Sequence, residues 1–252
     1  MDFTDQIILV TGASRGIGRA IARQFAAKGG RVAVHYNSNA QAAAETVASL
    51  AGSGHLVVQA DLADAAAVQR MVETVIGQMG GLNVLVNNAA IYEDHAIAKV
   101  DYDVWQTSWL NTIQANLLGA ANACYCAAQH MIQHGGGRII NISSRGAFRG
   151  EPDAPAYAAS KAGLNAMGQS LAKALGGHKI YITTVAPGWV ETDMAAAHLA
   201  GPDGDAIRAQ SPLGRVATPD DVAYTVLFLA SEGAEFLTGT IVDVNGASYL
   251  RM

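Results

Sequence analysis

Ile7-Ile8-Leu9-Val10-Thr11-Gly12-Ala13-Ser14-Arg15-Gly16-Ile17-Gly18 decides how the rest of the chain is read. Its first four residues form a short apolar run, as in a strand buried on both faces. Ile17, Ile21 and Phe25 then recur at helical spacing. Between strand and helix lie glycines in the spacing G-x-x-x-G-x-G, at Gly12, Gly16 and Gly18. Glycine permits a tight turn and close approach of the backbone to a bound group. The helix start behind the turn supplies free N–H groups and partial positive charge. A glycine turn alone would be an ordinary turn. Set between a first strand and a first helix, it points to a pyrophosphate.

The alternation continues outward from this unit. Strands are predicted at Ile7 to Val10, Arg31 to Tyr36, Leu56 to Gln59, Val84 to Val86, Arg138 to Ile142, Ile180 to Val185 and Ile241 to Val244, with helical segments between them. Such a pattern implies crossover units and a parallel sheet covered on both faces. No linker, low-complexity tract or repeat divides the chain. The expectation is α/β: a doubly wound (Rossmann) parallel sheet of about seven strands, in one domain over residues 1–252. Residues 189 to 218 depart from the rhythm, with Gly201, Pro202, Gly204, Pro212 and Gly214. A breaker-rich insertion after a strand reads as a mobile lid over the C-terminal sheet edge, where ligands bind in this architecture.

Composition excludes several classes. Half of the 252 residues are hydrophobic, 15% are charged, and the net charge is -5. Without a basic run or pole, nucleic acid is not an expected partner. No apolar run approaches the roughly 18 residues of a membrane span. Met1-Asp2-Phe3-Thr4-Asp5 lacks the basic start and apolar core of a signal peptide, so a cytoplasmic location is expected. Cys124 and Cys126 lie two apart in an apolar helical stretch and face different ways. They make neither a C-x-x-C pair nor a metal site, and no metal is expected.

Tyr157-Ala158-Ala159-Ser160-Lys161 carries the chemistry. Four residues apart on a helix, Tyr157 and Lys161 share a face. A free phenol has a pKa near 10 and is a poor base at neutral pH. A nearby ammonium favours the phenolate, so Tyr157 could give a proton to a carbonyl oxygen or take one from an alcohol. Y-x-x-x-K by itself is an ordinary surface pair. What distinguishes this one is its position after Ser143-Ser144 at a strand end and before Pro187-Gly188-Trp189-Val190-Glu191-Thr192.

These motifs, in this order, resemble the short-chain dehydrogenase/reductase family in its compact form, from residue 5 to about residue 249. The resemblance implies a hydride exchanged between a nicotinamide cofactor and a carbonyl/alcohol pair. Tyr157 would be the acid/base, and Lys161 would also hold the nicotinamide ribose. Ser144 would hold the substrate oxygen, with Ser143 as the alternative. Asn116 would mark a helix kink on a proton path through Lys161. Asp61, followed by Leu62, would bind adenine, with a helix N-cap as its competing reading. Asn88, Ala89 and Ala90 match N-N-A-G with Ala90 for the last glycine. Pro187, Gly188, Val190 and Thr192 would meet the carboxamide, and the glycine loop with Ser14 and Ile17 would meet the phosphates.

The second strand runs into Asn37 and Ser38, with no carboxylate to repel a 2′-phosphate. Arg15 stands where NADP-using relatives carry a basic residue, and a solvated loop charge is its other reading. NADP(H) is therefore the expected cofactor, with NAD(H) as the alternative. Tyr92, Glu93, His95, Phe148, Trp189, Met194 and Leu199 are expected around the substrate. The likeness extends to 3-oxoacyl-carrier-protein reductases and to sugar or xenobiotic carbonyl reductases. Against an acidic carrier protein stand the weakly basic segments Gln133 to Gly137 and Gly177-His178. A dinucleotide-binding sensor without turnover is the rival of another class, although such relatives usually lack the Tyr or the Lys. The resemblance also implies a homotetramer. Thr183, in place of a more usual Asn, and Val244-Asn245-Gly246-Ala247, in place of V-D-G-G, depart from the family pattern.

Overall fold

Along the first strand, β1 (Ile7–Val10), Ile8 and Val10 enter one apolar cluster and Ile7 and Leu9 another. Successive side chains of a strand point to opposite faces, so an uninterrupted apolar strand needs cover on both. The computed structural model, which describes residues 1–251, shows that cover. The other strands are β2 (Arg31–Tyr36), β3 (Leu56–Gln59), β4 (Val84–Asn87), β5 (Gly137–Ile142), β6 (Ile180–Pro187) and β7 (Ile241–Val244). All pair in parallel, in the order β3-β2-β1-β4-β5-β6-β7. The helices are α1 (Gly16–Ala27), α2 (Ala40–Ala48), α3 (Ala65–Met79), α4 (Tyr102–Ile113), α5 (Gly119–Gln133), α6 (Gly146–Arg149), α7 (Pro155–Leu175), α8 (Asp193–Ala200), α9 (Gly204–Ala209) and α10 (Pro219–Ala230).

One cluster joins Ile21 and Phe25 of α1, Ala43 of α2 and Val226 of α10 to the even-numbered β1 residues. The other joins Val72 of α3, Ala127 of α5 and Ala172 of α7 to the odd-numbered ones. The sheet is thus doubly wound, as the alternation predicts. β6 runs two residues beyond its predicted end. Pro187 closes it, where the Pro187 carbonyl accepts from Arg145 N–H at 2.9 Å and no donor is required of the ring nitrogen.

The 189–218 stretch contains α8 and α9, and a parallel bridge between Val190 and Ala217 ties its two ends together. Behind it α10 starts on a capping box. Thr218 Oγ1 accepts from Asp221 N–H, and Asp221 Oδ2 accepts from Thr218 N–H at 2.7 Å. The Arg215 guanidinium beside it holds the Asp221 carboxyl down at about 2.

Candidate active site

Strand order reverses between β1 and β4, and ligands of open α/β sheets bind at that switch point. A cavity of about 600 Å³ runs there along the C-terminal strand ends. Its floor is tied across the sheet. Thr11 Oγ1 accepts from Asn88 N–H at 2.9 Å and Ala89 N–H at 3.0 Å, and Asn88 Nδ2 donates to the Thr11 carbonyl at 2.8 Å.

Gly12 has φ +63, and a Cβ there would lie 2.9 Å from Ala89 Cα. A Cβ on Gly18 would run into the Gly12 carbonyl oxygen and come to 2.6 Å from Asn88 Nδ2. The starts of α2, α3, α4 and α10 are capped by the side chains of Asn39, Asp64, Asp101 and Thr218. The start of α1 has no side-chain cap and no acidic residue in its first turn. Its open N–H groups belong to the one helix that begins in the glycine loop, which fits a pyrophosphate.

His35, near the end of β2, is a site residue that the sequence reading missed. It is 1% exposed. Its Nδ1 accepts from Gly12 N–H at 2.9 Å, so the proton sits on Nε2, which donates to the Ala60 carbonyl at 3.0 Å. Burial holds its pKa below the ordinary 6.5. Below pH 6.5 the unfolded chain therefore takes up a proton that the folded one resists, and stability falls with acid. His130 shifts in the same direction. Thermal melts from about pH 7.5 to about pH 5 should fall less steeply in His35→Gln than in the parent.

At the end of β2, Tyr36, Asn37, Ser38 and Asn39 line the cavity, with Asp61 and Leu62 opposite. The N-cap reading of Asp61 is not met. Asp64 caps α3, accepting from Ala66 and Ala67, while Asp61 Oδ1 accepts from Ala63 N–H at 2.9 Å. Arg15 lies 3.7 Å from Asp193 at the start of α8. Both side chains are about 70% exposed, so the pair contributes at most about 1 kcal/mol.

At the other end stand Ser144, Tyr157 and Lys161. Lys161 is 2% exposed, and its Nζ donates to the Ile142 carbonyl at 2.8 Å, which leaves two of its three N–H bonds for the cavity. Ser143 spends its hydroxyl on the Lys161 carbonyl at 3.3 Å. Ser144 Oγ accepts from Gly146 N–H at 3.0 Å and sits beside the Tyr157 phenol. Tyr157 is partly exposed, with surface toward the cavity. Burial raises its pKa to about 12, Ser144 opposes that, and the Glu151 charge adds to it. Burial also lowers Lys161 to about 8. The expected depression of the phenol by Lys161 is thus outweighed in the protein alone, because desolvation exceeds every other influence on Tyr157.

Asn116 is the one expected catalytic residue that does not line the cavity. It lies in a π-helical turn, Gln114–Leu118, between α4 and α5. Its Oδ1 accepts from Ile91 N–H at 2.8 Å, and its Nδ2 donates to the Ile91 carbonyl at 2.9 Å and to Ser160 Oγ at 3.3 Å. It braces the loop after β4 against α7. All the residues expected to contact cofactor, and Trp189, do line the cavity. Of the other residues expected around the substrate, Tyr92 and Met194 line it, and Glu93, His95, Phe148 and Leu199 do not. His95 is fully buried, and its Nε2 accepts from Ala156 N–H at 3.2 Å at the start of α7. Phe148 packs under the Arg251 guanidinium, 4.3 Å from the ring centroid. Arg145 and Glu151 line the cavity and were not expected. Their signal was the presence of charges in the short link between β5 and Tyr157.

The fold and site define a dinucleotide-binding α/β protein. A family model described as Enoyl-(Acyl carrier protein) reductase matches residues 12–247. The chain is 38% identical over 244 residues to the 3-oxoacyl-[acyl-carrier-protein] reductase FabG of Staphylococcus aureus, covering 96% of this chain and 97% of that one. It is 36% identical over 246 residues to the protein of the same name from Aquifex aeolicus, covering 97% of each. A crystal structure of a short-chain dehydrogenase from Burkholderia cenocepacia in complex with NADP superposes with a TM-score of 0.89 at 35% identity, covering 98% of this chain and 99% of that one. The chain belongs to the short-chain dehydrogenase/reductase family and is an NAD(P)-dependent oxidoreductase acting on a CH–OH/carbonyl pair.

Proposed function

We propose that the protein reduces a carbonyl with NADP(H), with Tyr157 as the proton donor. The observation that carries this reading is one continuous cavity, from the uncapped α1 start to Ser144, Tyr157 and Lys161. The bound cofactor supplies the hydride and, when oxidised, a positive charge that favours the phenolate. Ser144 and Tyr157 hold the substrate oxygen from two sides, and the Tyr157 O–H proton passes to it. Lys161, fixed by the Ile142 carbonyl, holds the ribose and steadies the phenol. Asn116 positions the loop bearing Ile91, and Pro187, Gly188, Val190 and Thr192 orient the carboxamide. Residues 1–252 act as one catalytic unit, with 189–218 as its substrate lid.

NADP(H) is favoured because no carboxylate stands at Asn37 or Ser38 and Arg15 is held only by a weak surface pair. The expected kcat/KM ratio is about tenfold or more for NADPH over NADH, which a salt-bridged phosphate can supply. Arg15→Ala should narrow that ratio, and a clear NADH preference in the parent would refute it.

The substrate reading is a 3-oxoacyl thioester, as in the relatives' names. Absorbance of NADPH followed with acetoacetyl-acyl-carrier protein, an acetoacetyl thioester of N-acetylcysteamine, and small ketones tests it. Turnover of small ketones without saturation by the carrier substrate would favour the sugar or xenobiotic carbonyl reductases instead. Tight NADPH binding with no turnover would leave a sensor.

A homotetramer fits the apolar side chains left open. Leu118, Tyr125 and Ile132 are exposed at seven-residue spacing along the π turn and α5. Tyr224 and Phe228 of α10, with Phe236 and Leu250, form a second exposed set. Light scattering at the mass of a monomer would refute that assembly. No helix among the described residues is long and apolar enough to cross a membrane.

A further inference from the structure

Gly150-Glu151-Pro152-Asp153-Ala154 links α6 to the start of α7, and the reaction above leaves Glu151 without a role. Its side chain is 17% exposed and lines the cavity. It rests on Gly146, two residues after Ser144, where a Cβ would lie 2.8 Å from Glu151 Cγ. Arg149 Nη2 stands 3.4 Å from Glu151 Oε2 and is 33% exposed, which leaves the carboxylate only loosely paired. On the cavity side lie two phenols, Tyr92 and Tyr157, packed edge to face with centroids 5.0 Å apart.

The charges around this group are few. Glu93 and Asp94 follow Tyr92 on the loop after β4. Arg149 comes from α6, Arg145 from the residue before it, and Lys161 from α7. Asp153, on the same link, is paired with Lys99 at 3.3 Å on the outside. Arg145 Nη1 and Nη2 are spent on Ser248 Oγ and Gln210 Oε1. Glu151 adds to burial in raising Tyr157, by less than burial does, and it is the strongest of the charges acting on Tyr92. A carboxylate in a poorly hydrated wall opposes a second negative charge beside it.

We propose that Glu151 is a positioning residue for the Tyr157 proton: its carboxylate, set in the same cavity wall, opposes a phenolate at Tyr157, which favours carbonyl reduction and moves alcohol oxidation to higher pH. The inference rests on Tyr157 acting as the acid. In reduction the hydride goes to the carbonyl carbon and the Tyr157 proton to its oxygen. In oxidation the alcohol proton goes to the phenolate and the hydride to the oxidised cofactor. Oxidation starts from a negative Tyr157, which Glu151 opposes, whereas reduction starts from the neutral phenol and the phenolate it leaves takes a proton back from solvent.

The test is the pH profile of kcat for NADP-dependent oxidation of the 3-hydroxybutyryl thioester of N-acetylcysteamine. Glu151→Gln should move the rising limb to lower pH, giving roughly threefold to tenfold faster oxidation below it. Glu151→Asp should keep the limb near the parent position. Arg149→Gln, which leaves Glu151 unopposed, should move it the other way. An unmoved limb in Glu151→Gln with parent NADPH affinity, or Arg149→Gln shifting in the same direction as Glu151→Gln, would overturn the proposal. Undiminished turnover in Tyr157→Phe would overturn the acid role along with it. An inactive Tyr157→Phe with an unmoved Glu151→Gln limb would overturn the Glu151 proposal alone.

Discussion

Tyr157→Phe should lose about 10²–10⁴-fold in kcat, the range general acid catalysis supplies, while NADPH affinity stays within a few-fold of the parent. The substitution removes one hydroxyl from a ring already packed against Tyr92, so little shape is lost. It also removes a phenol held near 12 by burial. Since that phenol is neutral in both folded and unfolded chains at pH 7, its loss should leave stability at neutral pH nearly unchanged. Single-turnover kinetics with an acetoacetyl thioester, beside a fluorescence titration with NADPH, separate the two effects. Equal losses in binding and in turnover would make Tyr157 a wall of the cavity rather than its acid.

Gly18→Ala should be nearly as damaging, for a reason of packing. The added methyl group meets the Gly12 carbonyl and Asn88 Nδ2, and both belong to the hydrogen-bonded floor under the phosphate loop. Backbone has nowhere to withdraw, because Gly12 is held by His35 and Asn88 by Thr11. Overpacking of this kind costs about 1–3 kcal/mol, or roughly 2–4 °C of Tm per kcal/mol at this chain length. NADPH affinity should fall by about a hundredfold or more, since the loop N–H groups no longer converge on one point. A thermal melt and an NADPH titration check both, and parent-like values in both would contradict the packing account.

Much of this was legible in the sequence because the governing contacts are local. Strand–turn–helix order, helical spacing of Ile17, Ile21 and Phe25, and the four-residue step from Tyr157 to Lys161 all lie within short windows. What escaped depends on residues far apart in the chain. His35 reaches Gly12 across 23 residues, and nothing near it signals an acceptor for a loop N–H. Asp61 is a plausible cap on paper, yet the residue whose side chain caps α3 is Asp64. Glu93, His95 and Phe148 neighbour residues of the site in sequence, yet the chain turns their side chains elsewhere. The phenol shows the same limit. Spacing pairs Tyr157 with Lys161, but burial is a property of the whole fold, and it sets both groups' protonation more strongly than their proximity does.

In the proposed reaction the hydride passes from NADPH to a carbonyl carbon at the Tyr157 end of the cavity. The direct measurement uses NADPH deuterated at C4 of the dihydronicotinamide, on either face in turn, with the acetoacetyl thioester. One labelled face should deliver a single deuterium to the carbinol carbon of the 3-hydroxy product, and the other face none. Deuterium at the neighbouring carbon, or bound NADPH that is never oxidised by any carbonyl offered, would contradict it.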